Sequence, residues 1–150
     1  MKKSKRILFV CHGNICRSPM AEVIFRNLVE QRGLSQQFSV ASAATSSEEI
    51  WNGIGNPVYP PARRELAKHG ISCDGHAARQ VTMKDYHHYD RIYYMDSSNA
   101  RWLARMLPKD PEKIRPLLDH DVADPWYTGN FSETWDDVVE GCKKIMEEFA

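Results

Sequence analysis

Cys11 and Arg17 stand six positions apart in VCHGNICRSP, and the residue types around them are those that hold an anion. A thiolate is a strong nucleophile, and an arginine fork grips two phosphate oxygens at once, which lysine does not. Gly13 and Asn14 tolerate the left-handed backbone that a tight turn needs. Ser18 suits a helix N-cap and Pro19 the first helical position. His12, Gly13, Asn14, Ile15 and Cys16 would thus form a loop feeding a helix N-terminus, whose N–H groups and dipole favour a dianion. The same field favours thiolate over thiol at Cys11, and Ser18 can donate a hydrogen bond to the sulfur. The implied chemistry is in-line attack on a bound phosphoryl group, giving a cysteinyl-phosphate with no metal or cofactor. Cys-x5-Arg alone is a weak signal, because such pairs arise by chance; its setting between strand and helix makes it specific.

Ester cleavage also needs a proton for the leaving oxygen. Asp124, in VADPWYTG, precedes the last helix in a Pro- and Gly-flanked segment that can fold over a site. Trp126 and Tyr127 follow at once and can wall a cleft for an aromatic ring. On its own, Asp-Pro is as readily a turn starter.

These groups need a scaffold that brings distant segments together. The four apolar residues Ile7 to Val10 read as a buried strand ending at Cys11. Apolar residues at helical spacing run from Met20 to Gln31 or Arg32, with Gly33 as the stop. Phe38 to Ser42 alternates like a second strand, so the chain opens with β-α-β, a right-handed parallel crossover. Ala43 to Pro61 is a long Ser-, Gly-, Asn- and Pro-rich loop carrying Trp51 and Tyr59. Helices follow over Pro61 to His69 and Lys84 to Tyr89, the second with a capping box at Thr82 and Asp85. Arg91 to Met95 is the third strand, and Asp96 caps a helix to Met106. Lys113 to Leu118 is a fourth, with Pro116 arguing for an edge. The last helix carries one apolar face, Phe131, Trp135, Val138, Val139, Cys142, Ile145, Met146 and Phe149. The expectation is one α/β domain over residues 1–150, a three-layer sandwich with a four-stranded parallel sheet and helices on both faces. Ligands of such sheets bind beyond the strands' C-terminal ends, where Cys11 lies.

Composition narrows the function classes. Twenty Lys and Arg against twenty Asp and Glu leave no basic field for nucleic acid or an anionic membrane. The basic start, MKKSKR, is followed by too short an apolar run for a signal peptide, so a cytoplasmic protein is expected. Cys11, Cys16, Cys73 and Cys142 then read as reduced thiols, with no zinc spacing among them. The His87-His88 pair points apart on a helix and does not suggest a metal site.

The chain resembles the low-molecular-weight protein tyrosine phosphatases in their bacterial form. The resemblance rests on VCHGNICRSPMAE, on SAATS at 42–46, KHGI at 68–71, ARQVT at 78–82, MDSSN at 95–99 and ADPWY at 123–127. It implies hydrolysis of phosphotyrosine and small aryl phosphates, with Cys11 as nucleophile, Arg17 as phosphate clamp and Asp124 as acid and then base. It further implies that Asn14 holds the loop in shape, that Ser42 and His69 support it, and that Ser18 stabilises the thiolate. Cys16 matches a second loop cysteine able to form a reversible disulfide with Cys11 under peroxide. The implied partners are phosphotyrosine proteins, a cognate tyrosine kinase, and inorganic phosphate or other oxyanions in the loop. The loop IWNGIGNPVYPP departs from familiar eukaryotic members; Trp51 is the candidate for the aromatic rim, and His12 stands where an apolar residue is usual. Two rivals share the fold and loop. Arsenate reductases need resolving cysteines that Cys73 and Cys142 do not supply in an obvious pair. Phosphoarginine phosphatases carry threonine where this chain has Ile15, whose methyl-rich wall suits an aryl ester.

Overall fold

A computed structural model describes residues 4–149. Strand β1 (Lys5–Cys11) leads through the loop into α1 (Arg17–Gln31), and a single 3-10 turn precedes β2 (Phe38–Ala44). A short antiparallel hairpin follows, β3 (Ile50–Trp51) and β4 (Ile54–Gly55). Next come α2 (Pro60–Lys68), α3 (Met83–His88), β5 (Arg91–Tyr94), α4 (Ser97–Met106) and β6 (Ile114–Pro116). The chain ends with α5 (Pro125–Thr128) and α6 (Phe131–Phe149). The main sheet has the order β2-β1-β5-β6, and every pairing in it is parallel. This is the expected four-stranded α/β sandwich.

Strand β1 is central and buried on both faces, which explains its unbroken apolar run. Its alternation splits the core in two. Ile7 and Phe9 face α1, α2 and α6 together with Met20, Phe25, Leu66 and Met146. Leu8 and Val10 face the other layer with Ile92, Leu103 and Leu107. Phe9 is wholly buried and meets Phe25 edge to face at 5.9 Å. Truncating such a residue to alanine costs about 3–5 kcal/mol. The apolar stripe of α6 packs as core, and its Cys142 thiol, pushed up by burial, lies 3.7 Å from the Ala21 carbonyl.

Three boundaries differ from expectation, each for a physical reason. Helix α1 starts at Arg17 with Cys16 as its N-cap, because the Ser18 hydroxyl is drawn to Cys11 instead of capping. The long loop is not structureless: it contains the hairpin. Gly55 packs against Ala78 so closely that a Cβ would fall 1.8 Å from its carbonyl oxygen, so only glycine fits there. Strand β6 is only three residues long and lies at the sheet edge, where Pro116 is tolerated; just beyond it Leu117 N still donates to the Tyr94 carbonyl at 2.9 Å. Among the described residues, no helix is long and apolar enough to cross a membrane.

Candidate active site

The loop after β1 is held from beneath by Asn14. This residue is fully buried and has a left-handed backbone, φ 62°. Its side-chain amide donates to Ser18 Oγ at 2.8 Å and Ser42 Oγ at 2.9 Å, and its Oδ1 accepts from Arg79 N at 3.1 Å. Ser42 Oγ in turn donates to Glu22 Oε1 at 2.6 Å. A non-glycine residue at positive φ costs about 1–2 kcal/mol, and this network offsets that cost. His76 Nε2 donates to the Asn14 carbonyl at 2.7 Å.

His69 is therefore not a support of the loop. It follows α2, hydrogen-bonds Glu65 at 3.1 Å and stacks flat on Trp135 at 3.5 Å. Those contacts tie α2 to α6, and the segment that reaches beneath Asn14 is the later one carrying His76 and Arg79.

Cys11 Sγ receives the convergence of three donors. The backbone N–H groups of Asn14 and Ser18 lie at 3.3 and 3.4 Å, and Ser18 Oγ at 3.0 Å. Ser18 Oγ accepts from Asn14, and its proton can reach the sulfur at 3.0 Å or the Ala43 carbonyl at 3.4 Å. Cys16 behaves differently. Burial first, then the negative charges of Cys11 and Asp124, pushes its thiol well above the ordinary cysteine range. It stays protonated and does not compete as a nucleophile. Among the described residues, none accepts from the N–H groups of Gly13, Ile15 and Cys16, which leaves them for an anion.

Arg17 is 2% exposed. Its Nη1 donates to Asp96 Oδ2 at 2.6 Å and to the Val122 carbonyl at 2.8 Å, and its Nη2 lies 3.4 Å from Asp124 Oδ2. Burial works to lower its pKa, but the charges of Cys11, Asp124 and Asp96 outweigh it, and the value is raised. Asp96, read from sequence only as a helix cap, thus does two jobs: Oδ1 accepts from Asn99 N at 2.8 Å while Oδ2 fixes the arginine.

Asp124 caps α5, its Oδ1 accepting from Trp126 N at 3.0 Å. Trp126 and Tyr127 line the pocket over Cys11. Trp51 does not: it projects from the hairpin, 78% exposed, and the wall on that side is made by Glu48 and Glu49. The long-loop aromatic that packs against a pocket wall is Tyr59, which itself lines the neighbouring cleft. Its N–H donates to the Ile15 carbonyl at 2.8 Å, and its ring packs 4.8 Å from Trp126 and 6.1 Å from Phe131. The site thus joins a thiol, a guanidinium and a carboxyl around a nest of backbone N–H groups, an arrangement able to support phosphate-ester cleavage.

Known proteins resemble the chain over nearly its whole length. The family model described as low molecular weight phosphotyrosine protein phosphatase matches residues 6–150. The low molecular weight protein-tyrosine-phosphatase YfkJ of Bacillus subtilis is 42% identical over 148 residues, covering 93% of this chain and 92% of that one. The crystal structure of YfkJ superposes with a TM-score of 0.91 at 39% identity, covering 98% of this chain and 95% of the other. A protein tyrosine phosphatase of Entamoeba histolytica, solved with Hepes in its active site, superposes with a TM-score of 0.87 at 28% identity, over 97% of this chain and 96% of that one. The chain belongs to the low molecular weight phosphotyrosine protein phosphatase family and is a phosphoric monoester hydrolase.

Proposed function

We propose that the protein hydrolyses phosphotyrosine in two steps through a cysteinyl-phosphate. The Cys11 thiolate attacks phosphorus, the S–P bond forms, and the P–O bond to the aryl group breaks as Asp124 gives its proton to the leaving oxygen. Water then attacks the same phosphorus with Asp124, now a carboxylate, accepting its proton. The S–P bond breaks, and phosphate leaves. Arg17 and the loop N–H groups hold the three equatorial oxygens throughout, where charge accumulates. The observation that carries this reading is the convergence of three donors on Cys11 Sγ within a pocket shared with Arg17 and Asp124. Hepes in the active site of the Entamoeba relative, a molecule that carries a sulfonate, is in keeping with an oxyanion-binding site.

The test is hydrolysis of p-nitrophenyl phosphate and of peptides bearing phosphotyrosine or phosphoarginine, without added metal. Cys11→Ser is expected to lose activity by about four orders of magnitude or more. Asp124→Ala should lose about 10²–10⁴-fold on phosphotyrosine. Full turnover by Cys11→Ser would overturn the mechanism, and preference for phosphoarginine would move the substrate assignment.

A further inference from the structure

The walls around the nest carry an electrostatic conflict. The ligand is a dianion, yet Glu48 and Glu49 both line the mouth, and the buried Arg17 already faces Asp96 and Asp124. Among the described residues, no other lysine or arginine lines this pocket. Two carboxylates at the entrance repel a phosphoryl group unless the ligand brings positive charge of its own beside it.

These carboxylates are also held in place. Ser46 donates through both N and Oγ to the His12 carbonyl, at 3.0 and 2.9 Å, fixing the segment to the loop. Glu48 Oε2 lies 2.9 Å from His12 Nε2. Glu49 is fastened by Asn56, whose Nδ2 donates to Oε2 at 2.8 Å and whose N–H donates to the Glu49 carbonyl at 2.8 Å. A preorganised charge gives selectivity that a freely swinging one does not.

Glu49 also stands between the pocket and a second cleft, because Ile15, Glu49 and Trp126 line both. Pro57, Val58 and Tyr59 give that cleft apolar walls. The one cation lining it among the described residues, Arg63, sits 3.6 Å from the Asp74 carboxylate. A long methylene stem with a cationic head matches this arrangement, the stem on the apolar walls and the head at Glu49.

We propose that Glu48 and Glu49 select protein substrates in which the phosphotyrosine is flanked by lysine or arginine. This rests on the reaction proposed above and adds the sequence context in which it takes place. Each partly exposed ion pair contributes a few-fold in affinity, so the two together give about tenfold.

The experiment measures Kd for Cys11→Ser with three phosphotyrosine peptides differing only in flanking residues: lysines, alanines or glutamates. The lysine peptide should bind about tenfold more tightly than the glutamate peptide at low salt, the gap narrowing as ionic strength rises. Adding Glu48→Gln and Glu49→Gln should reduce the ratio to about threefold or less, and Glu48→Lys with Glu49→Lys should invert it. Equal affinities in the parent, or a ratio unchanged by the glutamine pair, would overturn the proposal. So would tighter binding of an alanine-flanked phosphoarginine peptide, since the carboxylates would then be reading the phosphorylated side chain itself. Hydrolysis of p-nitrophenyl phosphate by the protein with Cys11 intact tests the underlying reaction separately, because that substrate has no flanks.

Discussion

Asn14, beneath the loop, and Trp51, on the hairpin outside the pocket, differ in almost every respect. Asn14 is fully buried, sits at an unfavourable φ, and commits its N–H, carbonyl and both side-chain polar atoms to five named partners. Trp51 is mostly exposed, on a two-residue strand of a hairpin anchored at its base by the Gly55–Ala78 contact. The first region is a floor in which no atom is optional. The second is a rim whose backbone is fixed while its side chains are free to vary. A phosphatase needs the former to place charge to within a fraction of an ångström, and uses the latter to choose among esters.

If that contrast is correct, disturbing the floor should have the largest effect. Asn14→Ala removes three side-chain hydrogen bonds that hold the loop's shape and leaves alanine at positive φ, so kcat/KM on aryl phosphates should fall roughly 100-fold. A change within threefold would show that the loop keeps its shape without its brace.

Tyr59 sharpens the boundary between the two regions, since it bonds the floor through its N–H and the rim through its ring. Tyr59→Leu keeps the backbone bond and loses the packing that seats Trp126, and with it the placement of Asp124. The expected result is about a tenfold fall in kcat/KM for phenyl phosphate and a smaller one for p-nitrophenyl phosphate, whose leaving group needs less help from an acid. Tyr59→Phe should restore both. Equal losses on the two substrates would assign Tyr59 to the floor instead.

The smallest effect separates two histidines. His76→Ala should lower turnover several-fold by releasing the Asn14 carbonyl. His69→Ala should leave turnover unchanged and lower stability by about 1 kcal/mol through loss of the Trp135 stack and the Glu65 bond. Steady-state kinetics beside thermal denaturation distinguishes the two outcomes, and a turnover defect confined to His69→Ala would reverse the assignment.

The same contrast explains what could be read in the sequence. Cys11, Arg17, Ser18 and Asn14 were legible because phosphate chemistry needs those types at that spacing, just after a buried strand. The sheet was legible because β1 and β5 must be apolar on both faces. Ser42 was found through the SAATS block, and it does bond Asn14. His69 was misassigned because two histidines bracket the turn after α2, and only the tertiary path decides which passes beneath the loop. A local signal existed: Arg79 lies in the ARQVT block, and Ala44 N bonds the Arg79 carbonyl, so a histidine close before that block was the better candidate. Trp51 and the Glu48–Glu49 wall were not separable, because a rim loop has no periodicity to say which side chains turn inward. Asp96 was visible as a cap, but its second oxygen on Arg17 is a contact between residues 79 positions apart that no local pattern encodes.

The buried state of Arg17 has a consequence for how the molecule comes into being. Its partners Asp96, Val122 and Asp124 are all made long after it, so the ribosome delivers Cys11 and Arg17 first and Asp124 last. Until the segment from Asp96 to Asp124 docks, a guanidinium would have to enter the core without counter-charge, which is strongly unfavourable. The nascent chain therefore cannot close a working pocket around its first seventeen residues alone. Closure of the pocket is coupled to completion of the fold, because the buried arginine finds its counter-charges only at Asp96 and Asp124.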